Sequence, residues 1–200
     1  MSELERRTWQ TNGLEVRGSG RPRIVGHAAV FDTLSLDLGG FREKISPGAF
    51  ADGLHGDVRA LWDHNSSYPL GRTRAGTLKL REDSMGLRVE IFPPDTQWAR
   101  DALESMRRGD VTGMSFAFRV PPGGDAWGTQ NGETIRTLKK VILAEVSPVV
   151  FPAYEAASAE VRAVARELRQ AARAGEPWRA KLAVMRRRLD AAERWRSSVR

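Results

Sequence analysis

Val111-Thr112-Gly113-Met114-Ser115-Phe116-Ala117-Phe118-Arg119-Val120 is the stretch whose reading decides the fold. Its large apolar residues recur at every second position. Met114, Phe116, Phe118 and Val120 form one face, and Ser115, Ala117 and Arg119 form the other. A period of two is the signature of a strand, because successive side chains leave a pleated backbone on opposite sides. The large residues anchor one face in a core. The other face carries small or polar groups, and Gly113 adds no bulk to it, which leaves a path for a substrate to reach Ser115.

Working outward, Asp95 to Arg108 has helical spacing. Trp98, Ala102 and Met106 recur four apart with Leu103 beside them, and Gly109 stands where a left-handed residue closes a helix. Residues 77–81 and 86–92 read as a strand pair joined by Glu82-Asp83-Ser84-Met85-Gly86. Residues 23–31 read as a buried strand and 41–46 as a short one. A short helix is expected at 49–54, after Pro47. In 57–64, Val58, Ala60, Trp62 and His64 alternate with Arg59, Leu61 and Asp63, so His64 ends a strand, with a turn at Ser66 to Pro69. Residues 121–132 read as a loop or hairpin tip. Thr134 to Val150 reads as one long strand with Val141, Leu143, Glu145 and Ser147 on one side, ended by Pro148 and Pro152. Many short strands with few helices predict a mainly β (α+β) chain, a compact antiparallel barrel with surrounding helices. Residues 1–22 are expected to be a loose, flexible arm, since Gly18, Gly20 and Pro22 break any pattern. Residues 23–157 form the domain, and a helical tail follows over 158–200. Ala, Arg, Glu and Leu dominate that tail, with helices near 156–173 and 178–196 divided at Gly175-Glu176-Pro177.

Composition excludes several classes. There is no cysteine, so disulfides, thiol nucleophiles and thiolate metal sites are out. His27, His55 and His64 do not fall at a metal-ligand spacing, and neither a metal nor a cofactor is expected. No apolar run is long enough for a membrane span, and the polar N-terminus lacks a secretory pattern. The net charge of +7 is uneven: residues 1–154 hold 20 Lys+Arg against 19 Asp+Glu, and residues 155–200 hold 12 against 6. The basic character belongs to the tail, so nucleic-acid binding by the whole chain is not expected. Phosphate contacts through the tail, with Trp178 and Trp195 stacking on bases, remain a separate reading. So does a non-catalytic, scaffold-binding role with a basic docking tail.

Three residues carry candidate chemistry. A serine hydroxyl needs a base to become a nucleophile, and Ser115 taken alone is more often an ordinary strand residue. Imidazole is the side chain best suited to act as a general base at neutral pH, and His64 stands at a strand end, where it can point into a cleft. His27 reads as a hydrogen-bonded strand histidine and His55 as a solvated turn residue. Glu145 sits inside Val141-Ile142-Leu143-Ala144-Glu145-Val146, where an unpaired carboxylate is costly. Its partner is either a histidine ring, which it would orient, or a cation such as Arg119 or Lys140. Asp63 competes with Glu145 as the acid beside His64.

Glu43-Lys44-Ile45-Ser46-Pro47-Gly48-Ala49-Phe50, Leu61-Trp62-Asp63-His64-Asn65, Pro69-Leu70-Gly71, Asp83-Ser84-Met85-Gly86-Leu87, Gly109 to Phe118 and Glu145 to Tyr154 follow one another in the order of a known family. Over roughly residues 23–157 the chain resembles the tailed-phage prohead (capsid maturation) serine proteases, whose relatives are the herpesvirus assemblins. The resemblance implies a serine endopeptidase with Ser115 as nucleophile and His64 as base. Glu145 would be third member where the herpesvirus relatives have a histidine, with Asp63 as competitor. It implies major capsid protein and scaffold segments as substrates and action in the host cytoplasm inside the assembling procapsid. It also implies self-cleavage and a homodimer; the basic tail, with a hinge expected at Ala171 to Pro177, reads as a segment that such cleavage could detach.

Overall fold

The computed structural model describes residues 4–10 and 13–151, with Trp9 and Gln10 through their backbone alone. The described residues form twelve strands and one α-helix. The first four strands are β1 (Glu5–Gln10), β2 (Glu15–Arg17), β3 (Arg23–Val30) and β4 (Arg42–Ile45). Then come β5 (Arg59–Trp62), β6 (Asn65–Arg72), β7 (Leu78–Glu82) and β8 (Gly86–Ile91). The helix α1 (Gln97–Arg107) precedes β9 (Gly113–Arg119), β10 (Asp125–Gln130), β11 (Glu133–Leu138) and β12 (Ile142–Val149).

The strands make three sheets rather than a closed barrel. Their orders are β1-β9-β12-β5-β6, β10-β11-β4 and β2-β3-β8-β7. Among the described residues the five-stranded sheet ends at β1 and β6, which a barrel would have joined. Nor is the pairing wholly antiparallel: β4 runs parallel to β11, and β5 parallel to β12. The expected surrounding helices reduce to α1 among the described residues. The tail helices and the hinge at 171–177 lie outside the described residues.

The core forms where the sheets turn their apolar faces to each other. Phe50 meets Phe116 edge-on at 5.6 Å, and Phe116 stacks on Phe118 at 5.1 Å. All three are fully buried. Burying each such ring contributes about 1.5–3 kcal/mol. The helix packs Ala99, Ala102, Leu103 and Met106 inward. Its end carries both bonds of a Schellman motif: Gly109, at φ +81°, donates to Met106 and Asp110 donates to Ser105.

Several sequence expectations give way. Residues 5–17, read as part of a loose arm, supply β1 and β2. The partner of β1 is remote in sequence, Thr8 lying opposite Ser115, so no local pattern announces it; β2 pairs with the next strand, Val16 opposite Ile24, through the Gly- and Pro-containing stretch that reads in sequence as a break. The segment 49–54 forms turns and a single 3₁₀ turn at Gly53–His55 instead of a helix. The region 121–132 contains β10, which pairs with β11 through a turn at Asn131-Gly132, both at positive φ. The long run at 134–150 divides into two strands in different sheets, and Pro148 lies within β12.

A cluster of charges joins β1 to the three-stranded sheet. Arg7 bonds Glu43 at 2.7 and 3.0 Å and Glu5 at 2.7 Å. Arg136 bonds Asp125 at 2.7 Å, Glu5 at 2.7 and 3.0 Å and Glu43 at 3.1 Å. Glu43 is buried, which this many donors make tolerable.

Candidate active site

The site lies on one face of the five-stranded sheet. Ser147 on β12 is directly opposite Ser115 on β9, and Glu145 is opposite Ala117. Cross-strand partners share a face, so Ser115, Ala117, Glu145 and Ser147 lie together. On the other side of β9, Arg6 and Thr8 of β1 pair with Ala117 and Ser115 and join that face.

This grouping depends on a bulge. The β12 register slips between Leu143 and Glu145, so Leu143 pairs with Phe118 and Glu145 with Ala117. Simple alternation puts Leu143 and Glu145 on one side. The extra residue, Ala144, instead leaves Leu143 in the core with Phe118 and turns Glu145 onto the Ser115 face.

His64 arrives by a different route from the one its alternation predicted. The strand ends at Trp62, which pairs with Asn65, so Asp63 and His64 are the two residues of a tight hairpin loop. Both have positive φ, 49° and 60°, the feature of a type I′ turn, and aspartate and histidine tolerate it better than most side chains. Ser66 to Pro69, expected as a turn, belongs to β6. Asp63 donates its N–H to the Pro148 carbonyl at 3.0 Å, and its Oδ1 accepts the Val150 N–H at 3.4 Å. These contacts tie the hairpin to the end of β12.

The structure brings His64 and Glu145 together: His64 Nδ1 is hydrogen-bonded to Glu145 Oε1. An ionised carboxylate can only accept, so Nδ1 is the donor; in a neutral imidazole the lone pair then sits on Nε2. Arg6 Nε lies 3.9 Å from the same Oε1 atom. Lys140, a candidate partner for Glu145 from sequence, pairs with Asp52. The side chains of His64 and Glu145 are 22 % and 12 % exposed, so the pair stands at the rim of the sheet's buried interior.

Ser115 is deeper. It is fully buried, against the expectation of an open face, and its Oγ donates to the Arg7 carbonyl of β1 at 2.9 Å. The structure therefore places the Ser115 hydroxyl one strand away from the strand that carries Glu145, with its proton turned toward β1. Ser147 is equally buried, and its Oγ has no hydrogen-bond partner among the described residues. Sequence reasoning set Ser147 beside Glu145 and gave it no role. Its place opposite Ser115 comes from the β9–β12 pairing, which no local pattern encodes.

The other histidines stand apart. His27 Nε2 meets both oxygens of Asp83 at 3.0 and 2.9 Å in the four-stranded sheet, and His55 is exposed in its turn. Among the described residues no cluster of His, Asp and Glu could hold a metal ion, and no helix is long and apolar enough to cross a membrane.

A family model described as caudovirus prohead serine protease matches residues 9–173. No curated protein and no solved structure matches the chain.

Proposed function

The chain belongs to the caudovirus prohead serine protease family, and from that premise we propose that Ser115 is its nucleophile, His64 its general base and Glu145 the carboxylate that orients the ring. Family membership makes the chain a serine peptidase of phage head maturation, with capsid proteins as its substrates and the procapsid in the host cell as its place of action. The assignment of roles is supported chiefly by one observation: His64 Nδ1 bonds Glu145, which lies on the same sheet face as Ser115.

The reaction follows from that arrangement. Ser115 turns from the Arg7 carbonyl, and its Oγ attacks the carbonyl carbon of the scissile bond. His64 Nε2 takes the hydroxyl proton, and the imidazolium is stabilised against Glu145. The same proton then passes to the leaving amine as the C–N bond breaks. Water, deprotonated by His64, hydrolyses the acyl-enzyme.

The finer substrates in this reading are scaffold segments and N-terminal pieces of the major capsid protein, together with the chain itself. In the same reading the basic tail is a detachable segment, with a hinge at Ala171 to Pro177. Gly175 and Pro177, residues that disfavour a helix, stand there among Ala, Arg, Glu and Leu. Kinship with the herpesvirus assemblins, and a homodimer with it, belong to the same proposal on the strength of motif order. Light scattering of the purified chain tests the dimer.

The roles are tested by mass spectrometry of the purified chain, wild type beside Ser115→Ala, incubated with its capsid protein. Self-cleavage and capsid processing should both disappear in the variant. Processing at the wild-type rate would remove Ser115 from the mechanism.

A further inference from the structure

We propose that Ser147 is a positioning residue for the peptidase reaction, its hydroxyl donating a hydrogen bond to Ser115 Oγ while Ser115 passes its own proton to His64. This inference rests on Ser115 being the nucleophile.

Ser115 and Ser147 are an opposed pair in an antiparallel ladder. Their Cβ atoms are therefore about 4.5–5.5 Å apart on one face, close enough for the two hydroxyls to meet after a single side-chain rotation. Both side chains are fully buried. The remaining buried polar and charged residues, Glu43, Arg136 and Ser115, are all hydrogen-bonded. Among the described residues Ser147 Oγ is the one buried side-chain polar atom without a hydrogen-bond partner. A buried hydroxyl left unpaired costs stability that alanine at the same place would not, so the structure keeps it at a loss in this state.

The group that Ser147 faces is the Ser115 hydroxyl, now turned the other way, toward the Arg7 carbonyl. Rotation about the Cα–Cβ bond of Ser115 moves Oγ from the β1 side to the β12 side. There Ser147 donates to an Oγ lone pair, and the Ser115 proton is released from Arg7 toward His64 Nε2, the nitrogen that Glu145 leaves free. As the Oγ–carbon bond forms, the Ser115 proton moves to Nε2 and then to the leaving amine, while Ser147 keeps its own proton throughout. A hydrogen bond to an oxygen gaining negative charge is stronger than one to a neutral hydroxyl. Ser147 therefore favours the transition state over the resting enzyme.

The experiment is fluorophosphonate labelling of the intact chain, with the adduct mapped by tandem mass spectrometry and the thermal midpoint measured alongside. Wild type, Ser147→Ala, Ser147→Thr and Ser115→Ala are compared. The adduct should form on Ser115. In Ser147→Ala the labelling rate should fall about tenfold or more, with a midpoint equal to or above wild type. Ser147→Thr, which keeps the hydroxyl, should recover most of the rate. Labelling of Ser147→Ala at the wild-type rate overturns the proposal and leaves Ser115 as nucleophile. A lowered midpoint with no recovery by threonine overturns it in favour of a packing role. A wild-type adduct on Ser147 overturns it by making Ser147 the nucleophile. If wild type forms no adduct on Ser115 and Ser115→Ala still processes capsid protein, the Ser115 assignment itself fails and this inference with it.

Discussion

Glu145 lies directly across from Ala117 and touches the His64 ring, although Leu143, two positions earlier, packs in the core opposite Phe118. A strand without the Ala144 bulge could not place residues 143 and 145 on opposite faces. The bulge thus supplies an acid to a hairpin loop eighty-one positions away in sequence. Glu145→Gln tests what that acid does. Glutamine keeps the shape but can present an N–H to Nδ1, which favours the tautomer with Nε2 protonated and useless as a base. Turnover of a capsid peptide should fall about a thousandfold or more, with KM and the thermal midpoint little changed. Unaltered turnover would leave Glu145 without a part in the chemistry.

Asp63 is the other acid near His64, and its contacts point to a structural task. It sits at φ +49° and ties the hairpin to Pro148 and Val150. Glycine adopts that backbone conformation without a Cβ penalty. Asp63→Gly should therefore keep activity within a few-fold and stability within about 0.5–1 kcal/mol. Asp63→Val, forced into the left-handed region, should cost about 1–3 kcal/mol. Peptide kinetics and urea denaturation of the two variants separate a turn residue from a catalytic acid. A thousandfold loss in Asp63→Gly would move the orienting role to Asp63.

Elements with local periodicity were legible in the sequence. Phe116 and Phe118 are in the core, α1 buries Ala102, Leu103 and Met106, and β7 and β8 lie within a residue of the strand pair read at 77–81 and 86–92. The failures have two causes: partners distant along the chain, and single residues that redirect it. The N-terminal residues 5–10 form a strand because β9 offers an edge, and a charged stretch such as Glu-Arg-Arg has no alternation to declare it. A bulge at Ala144 and a turn at Asp63-His64 change side-chain direction through one residue each, which period counting passes over. The burial of Ser115 had no sequence signal, because the strand beside it had none.

The hold of β1 on the sheet should be sensitive to acid. Burial of Glu5 pushes its carboxyl up, but hydrogen bonds from Arg136 and Arg7 and the charges of both guanidiniums outweigh it, and the group sits below its ordinary value of 4.5. A carboxyl held low in the folded state contributes its full stabilisation above the unfolded value and loses it as pH falls through the folded one. The contribution is thus intact at neutral pH and fades below about 4.5. Amide exchange followed by NMR, corrected for intrinsic rates, should show β1 losing protection in that range while β8 keeps it. Joint loss in both strands would show that acid acts on the whole domain and not through the Glu5 cluster.

Gly86 should be among the least replaceable positions in the four-stranded sheet. It opens β8 at the end of the Asp83-Ser84-Met85 turn, where Asp83 Oδ1 accepts N–H bonds from Met85 and Gly86 at 2.9 and 3.2 Å. A Cβ there would stand 2.0 Å from the Ala29 carbonyl oxygen and 2.9 Å from its carbon. Those are backbone atoms of β3, and they cannot retreat without opening the β3–β8 ladder that holds fully buried Leu87 and Val89. Gly86→Ala should cost about 3 kcal/mol or more. Gly76 is the control. It has φ +69° and nothing within 4 Å of an added Cβ, so alanine there should cost only about 1 kcal/mol, the strain of a left-handed residue. Urea midpoints of the two variants measure the difference. Because Gly86 lies outside the five-stranded sheet, activity of Gly86→Ala well below its midpoint should track the folded fraction alone. A loss of turnover in the folded protein would show that the four-stranded sheet reaches the Ser115 face, and equal costs at the two glycines would show that β3 yields at Ala29.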